Sequence, residues 1–380
     1  MIKRLPAALG FLALALALAL ALAPAASGGE QPEAWVLSGQ SNACGRGALP
    51  ALAPNPLVEV FDAKAGKWVP AKDPLPGMGT DRFGPWHAAA LAVATKTGRP
   101  LRLTGFAEGG QPIGYFKTTA VGGKALLKAV KTSGQGAGVF LWYQGETDAV
   151  NRLDPDKYGA ELKALVAAVR TEAGNPKMTA VIVQLSYWNS PDRPADFMAI
   201  REAQRRFVAA DGNALLVPAL GRKHGDYVHL HREGYIELGG EIARALLATR
   251  YGAKDVDWPG PVLDAATLGA DGKTVVAHFA EAKKLAGIEA ADFAIVDSGG
   301  KAKEVRAAAT KAEAPGATLV TLTFAEPVKL PAALVYGAGN NPKASLVDEA
   351  GNRAPAVQVE IAQGAAPADK ESTAPNGAGK

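Results

Sequence analysis

Along the first two-thirds of the chain, short and nearly continuous apolar runs alternate with longer amphipathic stretches, which predicts strand after strand, each followed by a helix. Ala34 to Leu37, Leu101 to Ala107, Val139 to Tyr143, Thr179 to Leu185 and Ala214 to Pro218 read as strands. Trp86 to Thr97, Gly123 to Thr132, Asp156 to Ala173, Pro194 to Ala210 and Arg232 to Arg250 read as helices, with Leu162, Leu165, Val166 and Val169 forming one apolar face. Pro100 stops the first of these helices. Ala48 to Arg82 breaks the rhythm. Punctuated by proline and glycine, it reads as a long loop beside a strand end, of the kind that shapes a substrate mouth.

Strands joined by helix-length crossovers must run parallel, and a run such as Val181-Ile182-Val183 demands burial on both faces. The expected fold is therefore α/β, a three-layer α/β/α doubly wound parallel sheet over residues 34–252. In that architecture the residues just past the strands' carboxyl ends share one rim. Ser41, Gly109-Gly110, Gln144-Gly145-Glu146 and the segment after Pro218 should meet there. From Val256 the pattern changes to short strands between Gly, Asn, Asp and Pro turns: Thr274 to Ala277, Phe293 to Val296, Thr318 to Phe324, Ala333 to Tyr336 and Val357 to Ile361. These predict a smaller, antiparallel, β-sandwich-like domain over residues 256–362. The tail, residues 363–380, is too poor in bulky apolar groups to fold.

Three features of composition change this picture. Lys3 and Arg4 precede the apolar run Leu5 to Leu22 and then Ala23-Pro24-Ala25, the order of a secretory signal over residues 1–26. An uncleaved anchor is the alternative, since a run of about 18 apolar residues sits at the lower edge of what spans a bilayer. Either way the body is expected to be exported, periplasmic or extracellular, and a cleaved signal leaves no membrane insertion. The 41 Lys+Arg and 37 Asp+Glu are spread without a basic block, so no nucleic-acid partner is expected. Cys44 is the single cysteine, which excludes an internal disulfide and a multi-cysteine metal site.

Ser41, two residues beyond the glycine that ends the first strand, is a candidate nucleophile and needs a base. Of the five histidines, His229 stands three residues after Asp226, between a strand and a helix, where one turn can aim both side chains the same way. His231 is the internal competitor, and His278 lies on a strand of the distal domain, where a structural role is expected. Gly109-Gly110 can offer unobstructed backbone N–H groups to an oxyanion, or be no more than a tight turn. Gln144 brings an amide donor, and Glu146 a carboxylate that either assists His229 or ties down its loop. Cys44 is a rival nucleophile three residues from Ser41, although a lone cysteine more often packs a core. Asp226, His229 and His231 form at most a partial metal site, so no metal and no cofactor are expected.

Gly39-Gln40-Ser41-Asn42, Gly109-Gly110-Gln111-Pro112-Ile113, Trp142-Tyr143-Gln144-Gly145-Glu146-Thr147-Asp148 and Asp226-Tyr227-Val228-His229-Leu230 resemble, in order and spacing, the carbohydrate esterases of the SGNH-hydrolase superfamily. The resemblance is to the branch with sialate O-acetylesterases and acetylxylan esterases, and Arg201-Glu202-Ala203-Gln204 is similar to a helix segment of that branch. It implies a flavodoxin-like fold, Ser41 as nucleophile, His229 as base and Asp226 as its orienting acid. It also implies an oxyanion hole of the Ser41 and Gly110 N–H groups and the Gln144 side chain, with Gly109, Glu146 and Asn42 in support. Gln144 departs from the asparagine of the wider superfamily. The expected activity is removal of O-acetyl groups from an acetylated glycan such as sialic acid or xylan. The alternatives are a non-catalytic glycan-binding protein using Trp68, Trp86 and Trp188, and a lipase or thioesterase of the same superfamily.

Overall fold

In the computed structural model, the residues described are 31–79, 82–190, 195–282, 284–297, 305–309, 311–313 and 318–364. The expected signal, residues 1–26, and the tail beyond residue 364 lie outside them. The first sheet has seven strands: β1 (Glu33–Gly39), β2 (Val58–Asp62), β3 (Lys67–Pro70), β4 (Leu101–Ala107), β5 (Val139–Tyr143), β6 (Thr179–Gln184) and β7 (Ala214–Pro218). Their order is β3-β2-β4-β1-β5-β6-β7. Every neighbouring pair is parallel except β2 with β3. β1, the first strand, therefore lies inside the sheet, flanked by β4 and β5, and chain order reverses on either side of it. That reversal opens a crevice past its carboxyl end.

Among the described residues of this part are seven α-helices: α1 (Ser41–Cys44), α2 (Pro85–Thr97), α3 (Val121–Ser133), α4 (Glu146–Val150), α5 (Pro155–Glu172), α6 (Phe197–Ala210) and α7 (Arg232–Thr249). α2 packs on α7, while α5 packs on both α3 and α6. Gly239 permits the α2–α7 approach, since a Cβ there would lie 2.7 Å from that of Ala88. Asp154 caps α5, accepting from the N–H groups of Asp156 (2.9 Å) and Lys157 (3.2 Å), with Pro155 at the first helical position. α6 begins at Phe197, where Asp196 caps it by accepting from the Ala199 N–H at 3.0 Å; Pro194, its expected start, lies outside the described residues.

The stretch Ala48 to Arg82 departs from its expected loop. It holds β2 and β3, an antiparallel hairpin added to the sheet edge around a turn containing Gly66, φ +65°. Val58 and Val60 are buried with Glu59 between them, an alternation masked by the flanking prolines and glycines. Trp68, on β3, packs edge-on against Phe61 at 5.2 Å and under the Arg102 guanidinium at 4.8 Å.

The C-terminal β-rich domain contains β8 (Val262–Leu268), β9 (Thr274–Ala280), β10 (Leu285–Ala286), β11 (Phe293–Asp297), β12 (Val305–Ala308), β13 (Lys311–Glu313), β14 (Leu319–Thr323), β15 (Ala332–Tyr336), β16 (Val347–Asp348) and β17 (Val357–Gln363). Eight of these run in the order β12-β11-β15-β17-β8-β9-β14-β13. β17 is antiparallel to β15 and parallel to β8, so the domain is mixed and not wholly antiparallel. The two halves it joins face each other, with Phe279 of β9 against Phe293 (6.3 Å) and Tyr336 (6.2 Å). β8 escaped the sequence pattern because a bulge between Leu263 and Ala265 breaks its period of two.

From Glu33 onward the described chain forms one compact unit. Gln184 at the end of β6 and Ala356 exchange two hydrogen bonds of 2.8 Å. Arg201 of α6, fully buried, donates to the carbonyls of Leu185 (3.0 Å), Ser186, Gly337 (3.3 Å) and Gly339 (2.6 Å), which belong to both sheets' loops.

Candidate active site

β1 ends at Gly39, whose φ of +139° is open only to glycine and whose added Cβ would lie 2.0 Å from the Tyr143 carbonyl oxygen of β5. The chain turns there, and Ser41 opens the single helical turn α1 at the rim. The partners come from the segment between β7 and α7. Asp226 Oδ1 accepts from the backbone N–H groups of Val228 and His229, both at 2.8 Å. That turn swings the His229 ring onto Asp226 Oδ2, 2.7 Å from Nδ1. Nε2 of the same ring lies 2.9 Å from Ser41 Oγ. With Nδ1 protonated toward Asp226, Nε2 is the free acceptor for the serine proton. Burial pushes the Asp226 carboxyl up, but its hydrogen bonds from the His229 ring and the two backbone N–H groups outweigh this and hold it below its ordinary range. The Tyr187 hydroxyl, 2.5 Å from the Asp226 carbonyl and 2.6 Å from that of His229, pins the turn from behind.

Asn42 sets Ser41 and His229 relative to one another. Its Nδ2 donates to the Val228 carbonyl (3.1 Å) and to Glu146 Oε1 (2.7 Å). Its Oδ1 accepts from the Leu230 N–H (3.3 Å) and the Tyr235 hydroxyl (2.7 Å). Both neighbours of His229 are thus tied to the residue after Ser41.

Ser41 and His229 line a cleft of about 550 Å³ together with Gly109, Gly110, Arg46 and Trp188. A Cβ on Gly109 would lie 2.7 Å from Arg46 Nη2 and in ordinary contact, 3.6 Å, with the Ser41 Cβ, so a side chain there would displace the arginine. The N–H groups of Ser41, Gly109 and Gly110 enter no backbone hydrogen bond among the described residues, which leaves them for an oxyanion. Trp188, edge-on to Tyr227 at 5.3 Å, forms an aromatic part of the wall. It is hung from the C-terminal domain: the Trp188 N–H donates to the Asn340 carbonyl at 2.8 Å, and the Asn340 side chain bridges the Phe197 N–H (3.0 Å) and the Ala195 carbonyl (2.8 Å).

A family model described as carbohydrate esterase, sialic acid-specific acetylesterase, matches residues 31–248, more than half of the chain. The chain belongs to this family. It is a carboxylic ester hydrolase of acetylated carbohydrates. A probable carbohydrate esterase of Arabidopsis thaliana is 27% identical over 241 residues, 56% of this chain and 90% of the relative. A crystal structure of an Arabidopsis thaliana protein superposes with a TM-score of 0.51 at 25% identity, covering 58% of this chain and 99% of that one. A carbohydrate acetylesterase from Xanthomonas citri shares the fold more fully, with a TM-score of 0.65 at 18% identity over 86% of this chain and 80% of its own.

Within this esterase one expected contact is not made. Gln144, proposed from its motif as an oxyanion donor, is fully buried and its Nε2 is taken by Asp148, the Gln111 carbonyl (3.1 Å) and Gln40 (3.2 Å). The amide at the cleft is that of Gln40. Its Oε1 is held by Gln144 Nε2 and the N–H groups of Thr147 (3.2 Å) and Gly145 (3.4 Å), so its Nε2 end is left to a ligand. Glu146 borders the cleft but bonds Asn42 and not His229, and burial lifts its carboxyl to about 7. Cys44 is buried, and that burial pushes its thiol up to about 11, against the pull of Arg46. His231 pairs with Glu233 at the head of α7, and His278 with Asp264 at 2.6 Å in the C-terminal domain. Of the three tryptophans considered for sugar binding, Trp188 alone lines the cleft, while Trp86 is buried and donates to the Ala43 carbonyl at 2.7 Å.

Proposed function

We propose that this esterase is exported and removes O-acetyl groups from a glycan through an acyl-enzyme on Ser41. The hydrogen-bonded chain from Ser41 through His229 to Asp226 at the cleft carries this reading. His229 Nε2 takes the Oγ proton as Oγ attacks the acetyl carbonyl, and Asp226 faces the imidazolium so formed. The N–H groups of Ser41 and of Gly109 or Gly110 receive the oxyanion. His229 then passes its proton to the departing sugar oxygen, leaving acetyl on Oγ. Water, deprotonated by the same Nε2, attacks that ester and releases acetate.

Polar lining supports a sugar over a long acyl chain: Arg46, Thr147 and Asn151 share the cleft with Trp188 and Tyr227, whose rings suit the apolar face of a pyranose. Acetylated sialic acid, after the family's description, and acetylated xylan are the first substrates to try. The charged residues and apolar run before residue 26 support export.

The test is acetate released from a panel of acetylated glycans by the wild type, Ser41→Ala and Cys44→Ala. Release by the wild type and Cys44→Ala, with none by Ser41→Ala, is the expected result. Wild-type rates in Ser41→Ala would overturn the mechanism.

A further inference from the structure

Beside the cleft, and sharing Arg46 and His229 with it, lies a second pocket of about 220 Å³. Three arginines distant in sequence line it: Arg46, Arg82 and Arg232. The fold gathers them at one point. Gly47 and Phe83 exchange antiparallel backbone hydrogen bonds of 3.0 and 3.1 Å, which brings the residues preceding each onto adjoining segments. A Cβ on Gly47 would lie 3.2 Å from the Arg232 Cα, so the first residue of α7 packs on the same bridge. The even spread of charge along the sequence conceals this cluster.

Several guanidinium groups of the chain are matched by carboxylates, as in Arg170–Asp211 (2.6 Å), Arg102–Glu59 (2.9 Å) and Arg206–Asp156 (3.0 Å). Arg46 instead donates to its neighbour's carbonyl, Gly45, at 2.8 Å. Arg232 donates to the Pro50 carbonyl at 3.1 Å and lies over the Phe83 ring at 5.1 Å. The pocket's own carboxylate, Asp226, is engaged by the His229 ring and two backbone N–H groups.

We propose that this pocket binds the carboxylate of a sugar residue adjoining the acetylated one, so that the substrate is an acidic, uronate-containing polysaccharide. The inference rests on the reading that the cleft takes an acetylated glycan. A guanidinium presents parallel N–H donors that match the two oxygens of a carboxylate. A singly charged group suits a wall that includes Asp226, which repels a dianion more strongly. Arg46, bordering both pockets, stands where the two sugar residues join.

Binding tests this without relying on turnover. The full chain is titrated calorimetrically with a linear trigalacturonate and with xylotriose. The uronate trimer is expected to bind at least about tenfold more tightly, as charge-assisted hydrogen bonds require. Raising salt from about 50 to about 300 mM should weaken it severalfold. Arg82→Gln and Arg232→Gln should each weaken it by about fivefold or more. Arg82 is exposed, so the result does not hang on a core-packed variant folding. Equal affinity for the two trimers, or unchanged uronate binding in Arg82→Gln, overturns the proposal. Failure of the esterase reading would appear separately, as wild-type protein that frees no acetate from any acetylated glycan.

Discussion

Asp226 divides its work between two oxygens, one shaping the backbone turn and the other holding the imidazole, so its replacements separate the two roles. Asp226→Asn can keep the turn through its carbonyl oxygen but loses the charge facing the imidazolium. Aryl acetate hydrolysis is expected to fall by about 10³- to 10⁴-fold in kcat with little change in Tm. Gln40 and Gln144 form a second contrast. Gln40→Ala should lower kcat/KM by about ten- to a hundredfold if its amide meets the substrate. A full wild-type rate would remove it from the site. Glu146 provides a pH signature. Its carboxyl stands at about 7 against an unperturbed 4.5, chiefly through burial, so the folded state holds a proton that the unfolded chain has released. Stability is fully present below 4.5 and is lost as pH rises toward 7. The loss is on the order of 3 kcal/mol. Asp148, lifted to about 6 by burial, adds in the same direction. Glu146→Gln keeps an acceptor for Asn42, and its Tm should fall less than that of the wild type between pH 5 and pH 8. An identical fall in both would contradict this assignment. The motifs that hold Ser41, Asp226 and His229 were readable because each is short and lies between a strand and a helix. Gln40 was not, since only the packing of Asp148 and Gln111 decides which glutamine turns inward.

At the scale of elements, the site depends on where strands stop. Gly39 ends β1 in a backbone conformation closed to other residues, and its Cα faces the Tyr143 carbonyl of β5. Gly39→Ala is expected to cost at least about 2 kcal/mol. In thermal melts that is a fall of at least about 4 °C. Unchanged melting would show that the turn relaxes at no cost. The strand–helix alternation was legible because buried parallel strands are apolar throughout. The β2–β3 hairpin was hidden because its short strands are amphipathic and framed by turn residues that dominate the composition. β8 was hidden by its bulge. The α6 segment reads as polar along one face, yet Arg201 and Gln204 on it are buried, bonding carbonyls of the rim loops.

In the whole molecule, the C-terminal domain acts on the cleft through one loop. Asn340 holds both the Trp188 backbone and the start of α6, so the aromatic wall depends on a residue about 150 positions later in the chain, a placement that tertiary packing alone decides. Asn340→Ala, which loses both side-chain bonds, should raise KM for an acetylated oligosaccharide severalfold while leaving the Ser41–His229 geometry in place. An unchanged KM would mean that the wall stands without this support. The β-rich character of this domain was legible as a change in rhythm near Val256, whereas its hold on the cleft left no trace in any motif. The claim on which the rest stands is that Ser41 is the nucleophile. The full chain is treated with a fluorophosphonate, digested, and the modified peptide fragmented to separate Ser41 from Cys44. A single adduct on Ser41, forming far more slowly in Asp226→Asn, is the expected result. An adduct on Cys44, or none on the folded protein, would contradict it.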